Sequence, residues 1–264
     1  MQNLKEKFHN PDHSKEGSLQ SCIRTNDLEL VGDGSHLTYF EMLGNFSFGN
    51  DDYEISVEMW DHILKDLQIH VDTVHVHPDR DDHVVMWEKR GYDIIIDSEC
   101  VWSDGNIGGY CCEVYSGSLE IGNLVNSNKT STDVGFGFER IVQLYEGKDS
   151  VQHTSLFRQD IHPIVSDHLR TIAILYKNDI IPGNKGRNYV CRRLIRRLLR
   201  YSKDSKFYVS FRDWLENEKK MQINNLKKAA KHWKRHSDKP NSWWWETFGI
   251  LPEEMHLLNN SSPL

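Results

Sequence analysis

His36-Leu-Thr-Tyr-Phe-Glu-Met-Leu-Gly-Asn-Phe-Ser-Phe-Gly49 decides the fold. It crowds apolar residues around one acid, Glu41, and closes on turn residues. Leu37–Phe48 therefore reads as extended structure. An acid in such a run needs a ligand, a metal or a structural cation as its partner. Further along, Thr132-Asp-Val-Gly-Phe-Gly-Phe-Glu-Arg-Ile141 passes through Gly135 and Gly137 into helical spacing that lasts to Tyr145. Glycine permits close backbone approach, and a helix N-terminus adds positive potential. A third landmark is Asp179-Ile-Ile-Pro-Gly-Asn-Lys-Gly-Arg-Asn-Tyr-Val-Cys-Arg-Arg-Leu-Ile-Arg-Arg197. A polar turn carrying Asn184, Arg187 and Asn188 leads there into Arg192, Arg193, Arg196 and Arg197, whose spacing predicts one basic helical face.

Between the landmarks the pattern alternates between strand and helix. Val57–Leu67 has helical spacing, Val71–Val76 alternates, and Asp81–Arg90 predicts a short helix. Cys111–Tyr115 and Leu119–Val125 predict paired strands. Ser155–Tyr176, Tyr189–Tyr201 and Leu215–Trp233 predict helices. A polar segment, 1–18, is expected to be poorly ordered. It precedes a mixed body, 19–150, and a helical region, 151–264.

Net charge is −7 over 264 residues. Lys185–Arg235 holds 17 basic and 4 acidic residues, a local balance of +13, which leaves −20 for the rest. An acidic body with a basic arm suggests a polyanion for the arm; a solvated helical face is the plainer account. No apolar run reaches membrane length and no signal peptide opens the chain, so no membrane partner is expected. Five cysteines suggest reduced thiols in a cytoplasm. His75, His77 and His83 lie in a charged stretch and read as surface histidines. Cys111 and Cys112 are adjacent, poor geometry for one metal, so no metal site is expected.

Taken in order, the three landmarks resemble motif 2, motif 3 and the start of the tRNA-recognition region of class II aminoacyl-tRNA synthetases, in the form peculiar to the alanyl-tRNA synthetase family. The resemblance runs from about Leu19 to Tyr201. It implies an α+β fold, a class II synthetase-like antiparallel sheet flanked by helices, followed by a helical C-terminal region. It implies ATP and Mg²⁺, alanine or another small amino acid, and the tRNA acceptor stem. Arg24, in Cys22-Ile-Arg-Thr-Asn-Asp-Leu-Glu29, would grip the α-phosphate and the reacting carboxylate, a task that suits a guanidinium fork. Phe40 would stack on adenine, with Glu41 and Gly137 also at the ATP. Arg140 would hold the γ-phosphate. Asp133 would face the substrate ammonium, with Trp102, Asn123, Val125 and Gly135 walling a small pocket. Asn184, Arg187, Asn188, Arg192, Arg193, Arg196 and Arg197 would meet RNA, and Trp243-Trp-Trp245 would either stack on bases or pack internally. Asp167-His168-Leu-Arg170 would be mainly structural.

Two positions depart from the family pattern. A Cys-Gly-Pro-Cys-like loop is replaced by Gly109-Tyr-Cys-Cys-Glu113, and Gly122 stands where the family has a tryptophan. Motif 1, the editing domain and the C-terminal oligomerisation region find no counterpart, so the expected molecule is a pared-down catalytic core with a shortened recognition arm. The function expected is activation of alanine or a similar amino acid as the adenylate, with transfer to the 3' end of tRNA. The alternatives are transfer to a carrier protein, peptide or small molecule, or a non-catalytic RNA-binding homologue.

Overall fold

A computed structural model describes residues 4–103, 105–127, 130–202, 212–250 and 252–259. The chain divides into two compact units, Met1–Arg24 with Gly32–Phe157, and Thr25–Val31 with Arg158–Leu264.

The first unit is built on one eight-stranded sheet. After α1 (Lys5–His9) come β1 (Lys15–Ile23), β2 (Tyr39–Ser47), α2 (Tyr53–Asp66), β3 (Thr73–Val76), α3 (Asp81–Glu88), β4 (Asp93–Ile96), β5 (Val101–Ser103), β6 (Gly108–Ser116), β7 (Leu119–Ser127), β8 (Ser131–Gly137) and α4 (Phe138–Tyr145). The strand order is β1-β2-β8-β7-β6-β3-β4, with β5 paired to β6. Every pairing is antiparallel except that of β3 with β4. The motif 2 and motif 3 landmarks are thus neighbours, β2 against β8, although nearly a hundred residues separate them. The polar segment 1–18, expected to be loose, instead holds α1 and the first residues of β1.

Side chains alternate across a strand, so the register sorts them onto two faces. One face carries Leu43, Val114, Leu124, Val134 and Phe136, which pack with Val57, Trp60 and Leu64 of α2 and Trp87 of α3. Trp60 stacks on Phe136 at 4.0 Å, and its indole N–H donates to the Asn45 side chain at 2.9 Å. Burying two aromatic rings here contributes on the order of 2–3 kcal/mol each. This apolar layer occupies one side of the sheet and leaves the site residues to the other.

His83 corrects the surface reading. It is fully buried, stacks on Tyr53 at 4.1 Å and meets the Cys112 thiol at 3.4 Å. Burial first, then the Arg80 charge, lowers its pKa to about 3. It is a neutral core residue.

The second unit is helical: α5 (Pro163–Lys177), α6 (Gly186–Tyr201), α7 (Arg212–His236), α8 (Asn241–Phe248) and α9 (His256–Asn259). The predicted helix from Ser155 begins eight residues late. Pro163 occupies the first turn of α5, and the His162 ring accepts from the Ile164 N–H at 3.2 Å. Proline suits a first turn because it lacks the N–H that would go unpaired there. Ile172, Leu175, Leu194, Ile195, Leu198 and Leu215 form one core. Leu226, Ala229, Trp244, Ile250 and Leu258 form another. Trp244 is fully buried, with the Trp233 and Trp243 rings 4.9 and 5.0 Å away, so the centre of the tryptophan cluster packs internally. Among the described residues no helix is long and apolar enough to cross a membrane.

Candidate active site

The second face of the sheet collects most of the residues singled out in the sequence for ATP and the amino acid. Asp133 is registered against Phe46 on one side and Val125 on the other. Gly135 lies between Gly44 and Asn123, and Gly137 faces Met42. Beyond them, Cys111 faces Val125, Glu113 faces Asn123, and Trp102 on β5 faces Gly109. Phe40 pairs with Cys22, and the Arg24 N–H donates to the Thr38 carbonyl at 2.9 Å, continuing the ladder one residue past β1. Partners in register share a face. Arg24, Phe40, Trp102, Asn123, Val125, Asp133, Gly135 and Gly137 therefore stand on one surface.

Glu41 does not join them. A neighbour of Phe40 on the same strand, it points to the opposite face. There its carboxylate accepts from the Tyr39 hydroxyl at 3.1 Å, and its backbone N–H donates to Glu139 at 3.0 Å. The acid in the apolar run is answered by a tyrosine at i−2.

Small residues shape the surface. A Cβ on Gly44 would run into the Val134 carbonyl oxygen, so glycine lets β2 and β8 close up. A Cβ on Gly135 would meet the Met42 methyl at 2.7 Å and stand 3.8 Å from the Asn123 side-chain oxygen. Glycine there makes room for the Met42 methyl beside Asn123. At one end Phe46 packs with Phe8, Phe48 and Ile107, and Trp102 lies against them.

Asp133 is the electrostatic centre. Burial raises its carboxyl from 3.8 to about 6. Such a shift marks a group that gains from a cationic ligand. Glu113 is also raised by burial, and accepts from the Tyr115 hydroxyl at 2.9 Å.

Arg140 sits in the first turn of α4. β8 ends level with Met42, so α4 starts beside the Phe40 end of β2, tied there by the Glu139–Glu41 bond. The Arg140 guanidinium donates to the Glu120 carbonyl at 2.5 Å and lies 3.4 Å from the Glu120 carboxylate. It lines a cleft of about 820 Å³ with Asp33, Gly34, Tyr115, Gly117 and Ser150. The guanidinium is part-exposed, oriented but still able to meet an anion. Glu120 and Glu139 orient this region and were missed from sequence. Glu139 was visible within the motif 3 match, whereas Glu120 carried no signal.

In the helical unit the four arginines of α6 do not form one exposed basic face. Arg192, Arg196 and Arg197 are buried. Arg192 donates to Glu218 at 2.9 Å; Arg196 meets Glu218 and Glu254, each at 3.4 Å, and the Gly249 carbonyl at 2.6 Å. Arg197 donates to Glu29 at 2.6 Å, and the part-exposed Arg193 to the same carboxylate at 3.1 Å. The reason is the apolar stripe Cys191, Leu194, Ile195 and Leu198, which draws that side of α6 into the core and takes the flanking arginines with it. Asn184, just before α6, and Arg187 in its first turn are exposed and Asn188 is half-buried; the Gly183 N–H donates to the Asn188 carbonyl at 2.8 Å, so the expected polar turn is already helical at Arg187 and Asn188. Asn184, Lys185, Asn225, Lys228 and Trp245 line a second cleft, of about 450 Å³.

Against known proteins, the model of the family described as tRNA synthetases class II (A) matches residues 1–123 and 121–239. An alanine–tRNA ligase of Desulfitobacterium hafniense is 32% identical, over 73% of this chain and 29% of that one. One of Ehrlichia chaffeensis is 33% identical, over 76% of this chain and 30% of its own length. The chain thus spans about 30% of the length of these curated relatives. A solved pyrrolysyl-tRNA synthetase of Desulfitobacterium hafniense aligns over 58% of this chain and 49% of its own, at 16% identity and a TM-score of 0.33.

Proposed function

The chain belongs to the class II (A) tRNA synthetases, and from that premise we propose that it activates alanine or a similar small amino acid with ATP and passes it to the 3' end of tRNA. The observation that carries the reading is the shared sheet face, with the half-buried, desolvated carboxyl of Asp133 at its centre. Asp133 binds the substrate ammonium, and the small space beside Gly135, Asn123, Val125 and Trp102 takes a short side chain. One methylene is worth only about 1–3 kcal/mol in such a pocket, so glycine and serine compete with alanine. Phe40 stacks on adenine. Arg24 draws the amino-acid carboxylate and the α-phosphate together, and Arg140 holds the γ-phosphate at the start of α4. These charges act by positioning and by neutralising what builds up in the transition state. Glu41 contributes from behind, by fixing the strand rather than by touching ATP.

Mg²⁺ would arrive with the ATP phosphates and neutralise their charge. Glu120, beside Arg140, is the carboxylate suited to that position. The same reading puts the protein in the cytoplasm.

For the acceptor, the exposed Asn184, Lys185 and Lys228 that line the second cleft, and the exposed Arg187 two residues further along, suit a phosphate backbone and a base edge. A second reading is favoured by the burial of Arg192, Arg196 and Arg197, which leaves the arm with fewer free cations than its composition promised: the adenylate is handed to a carrier protein, a peptide or a small molecule. Charging of total tRNA with labelled alanine, over a salt series, separates the two. Under the tRNA reading charging occurs and weakens steeply with salt, because each neutralised phosphate releases counterion. An adenylate made and never transferred to tRNA defeats that reading and leaves the second.

A further inference from the structure

Two thiols and a carboxylate converge at the edge of the sheet, in a cluster the adenylate chemistry above does not use. Cys100 immediately precedes β5 and Cys111 lies on β6. Pairing of Val101 with Tyr110 brings them side by side, and the Cys111 N–H donates to the Cys100 carbonyl at 2.9 Å. Glu113, two residues further along β6, shares their face. The two sulfurs and a Glu113 carboxylate oxygen all lie within 4.8 Å of one another. Both cysteines are buried and Glu113 is half-buried, which leaves a way in. Donors around a tetrahedral ion at about 2.3 Å for sulfur and about 2.1 Å for oxygen sit roughly 3.5–3.8 Å apart. The three atoms, all within 4.8 Å of one another, stand close to that spacing.

We propose that Cys100, Cys111 and Glu113 bind one Zn²⁺ ion. Two sulfurs select a borderline-soft cation over Mg²⁺ or Ca²⁺. The thiols bind as thiolates, and their two protons leave to solvent. Three protein donors leave a fourth position for water or an incoming donor. The ion has a definite structural consequence. β5 is three residues long and, among the described residues, pairs only with β6, and Trp102 packs against Cys100, Cys111 and Val125. Zinc would pin the strand that carries Trp102 to the strand beside Val125 and Asn123. It would thereby fix one wall of the small pocket.

The test is a Co²⁺ titration of the full chain, stripped of metal under reductant, followed by displacement with Zn²⁺. One equivalent should bind with a thiolate-to-cobalt charge-transfer band. Cys100→Ser and Cys111→Ser should each weaken binding about 100-fold or more and diminish that band, with circular dichroism unchanged. Glu113→Gln should weaken binding about tenfold and keep the band. Cys22→Ser and Cys191→Ser should change nothing. Absence of stoichiometric uptake by the unaltered chain overturns the proposal. So does uptake that survives both serine variants, or a Cys100–Cys111 disulfide in protein isolated without reductant. If the serine variants fail to fold, Glu113→Gln decides: unchanged affinity sinks the site.

Discussion

Asp133→Asn should stabilise the ligand-free protein while crippling its use of amino acid. Burial lifts the Asp133 carboxyl from 3.8 to about 6 in the folded chain. A carboxyl held up in the folded state opposes folding wherever it must ionise. That cost is absent below pH 3.8, grows between 3.8 and about 6, and is fully present above. A shift of about two units corresponds to at most about 3 kcal/mol. Asparagine removes the cost. Urea unfolding at pH 7.5 should therefore show a gain of up to about 3 kcal/mol, and at pH 4 almost none. The ligand responds with the opposite sign. Near pH 5 only about a tenth of Asp133 is ionised, and near pH 7 about nine-tenths. Affinity for alanine should thus fall about tenfold from pH 7 to pH 5, while ATP affinity tracks only the phosphate. Isothermal titration with alanine and with ATP reads both in the wild type, and the asparagine variant should lose alanine binding with ATP binding kept. Alanine affinity that is flat between pH 5 and 7, or an asparagine variant less stable at pH 7.5, would refute the reasoning.

Arg24→Ala and Arg140→Ala should each lower adenylate formation by about two orders of magnitude, as loss of a charge partner in the transition state does; pyrophosphate exchange near the wild-type rate in either variant would remove that residue from the mechanism. Glu218→Gln strips the carboxylate that answers Arg192 and Arg196 in the helical core. Breaking a buried pair costs about 3–5 kcal/mol, so its urea midpoint should drop sharply, and an unchanged midpoint would mean these arginines are solvated. For the same reason, replacing Arg192, Arg193, Arg196 and Arg197 together by alanine should unfold the helical unit, which thermal melting detects. Gly135→Ala should leave the fold intact, since the added methyl meets a flexible methionine, but should raise the KM for alanine more than that for glycine; equal effects would place Gly135 outside the pocket.

Much of this was legible because the informative segments bury one side. β2 and β8 carry apolar residues against α2, so alternation and the two glycines gave both strands and the start of α4. β1 was not legible. Its residues, Lys-Glu-Gly-Ser-Leu-Gln-Ser-Cys-Ile, alternate only between exposed and half-buried, and a strand with no dry face leaves little hydrophobic signal. Glu41 lies opposite Phe40, as period-two alternation requires. Its place in the matched motif points to ATP, and its parity points to the other face. The arginines of α6 were counted as charge without their partners, because Glu29, Glu218 and Glu254 lie far off in sequence and only the folded chain brings them in. Cys100 and Cys111 meet by the same kind of long-range closure, through a hairpin that spacing alone does not reveal. Trp102, Asn123, Val125 and Asp133 came from the family resemblance, and strand register then put them on one face.

If one face of the sheet makes an aminoacyl-adenylate, as proposed, the chain should exchange pyrophosphate only in the presence of its amino acid. Amino-acid-dependent exchange of labelled pyrophosphate into ATP, run across alanine, glycine and serine with the folded chain and Mg²⁺, tests it most directly. The account predicts exchange that depends on one of these amino acids and is lost in Arg24→Ala. A folded chain that exchanges pyrophosphate with none of them would contradict it.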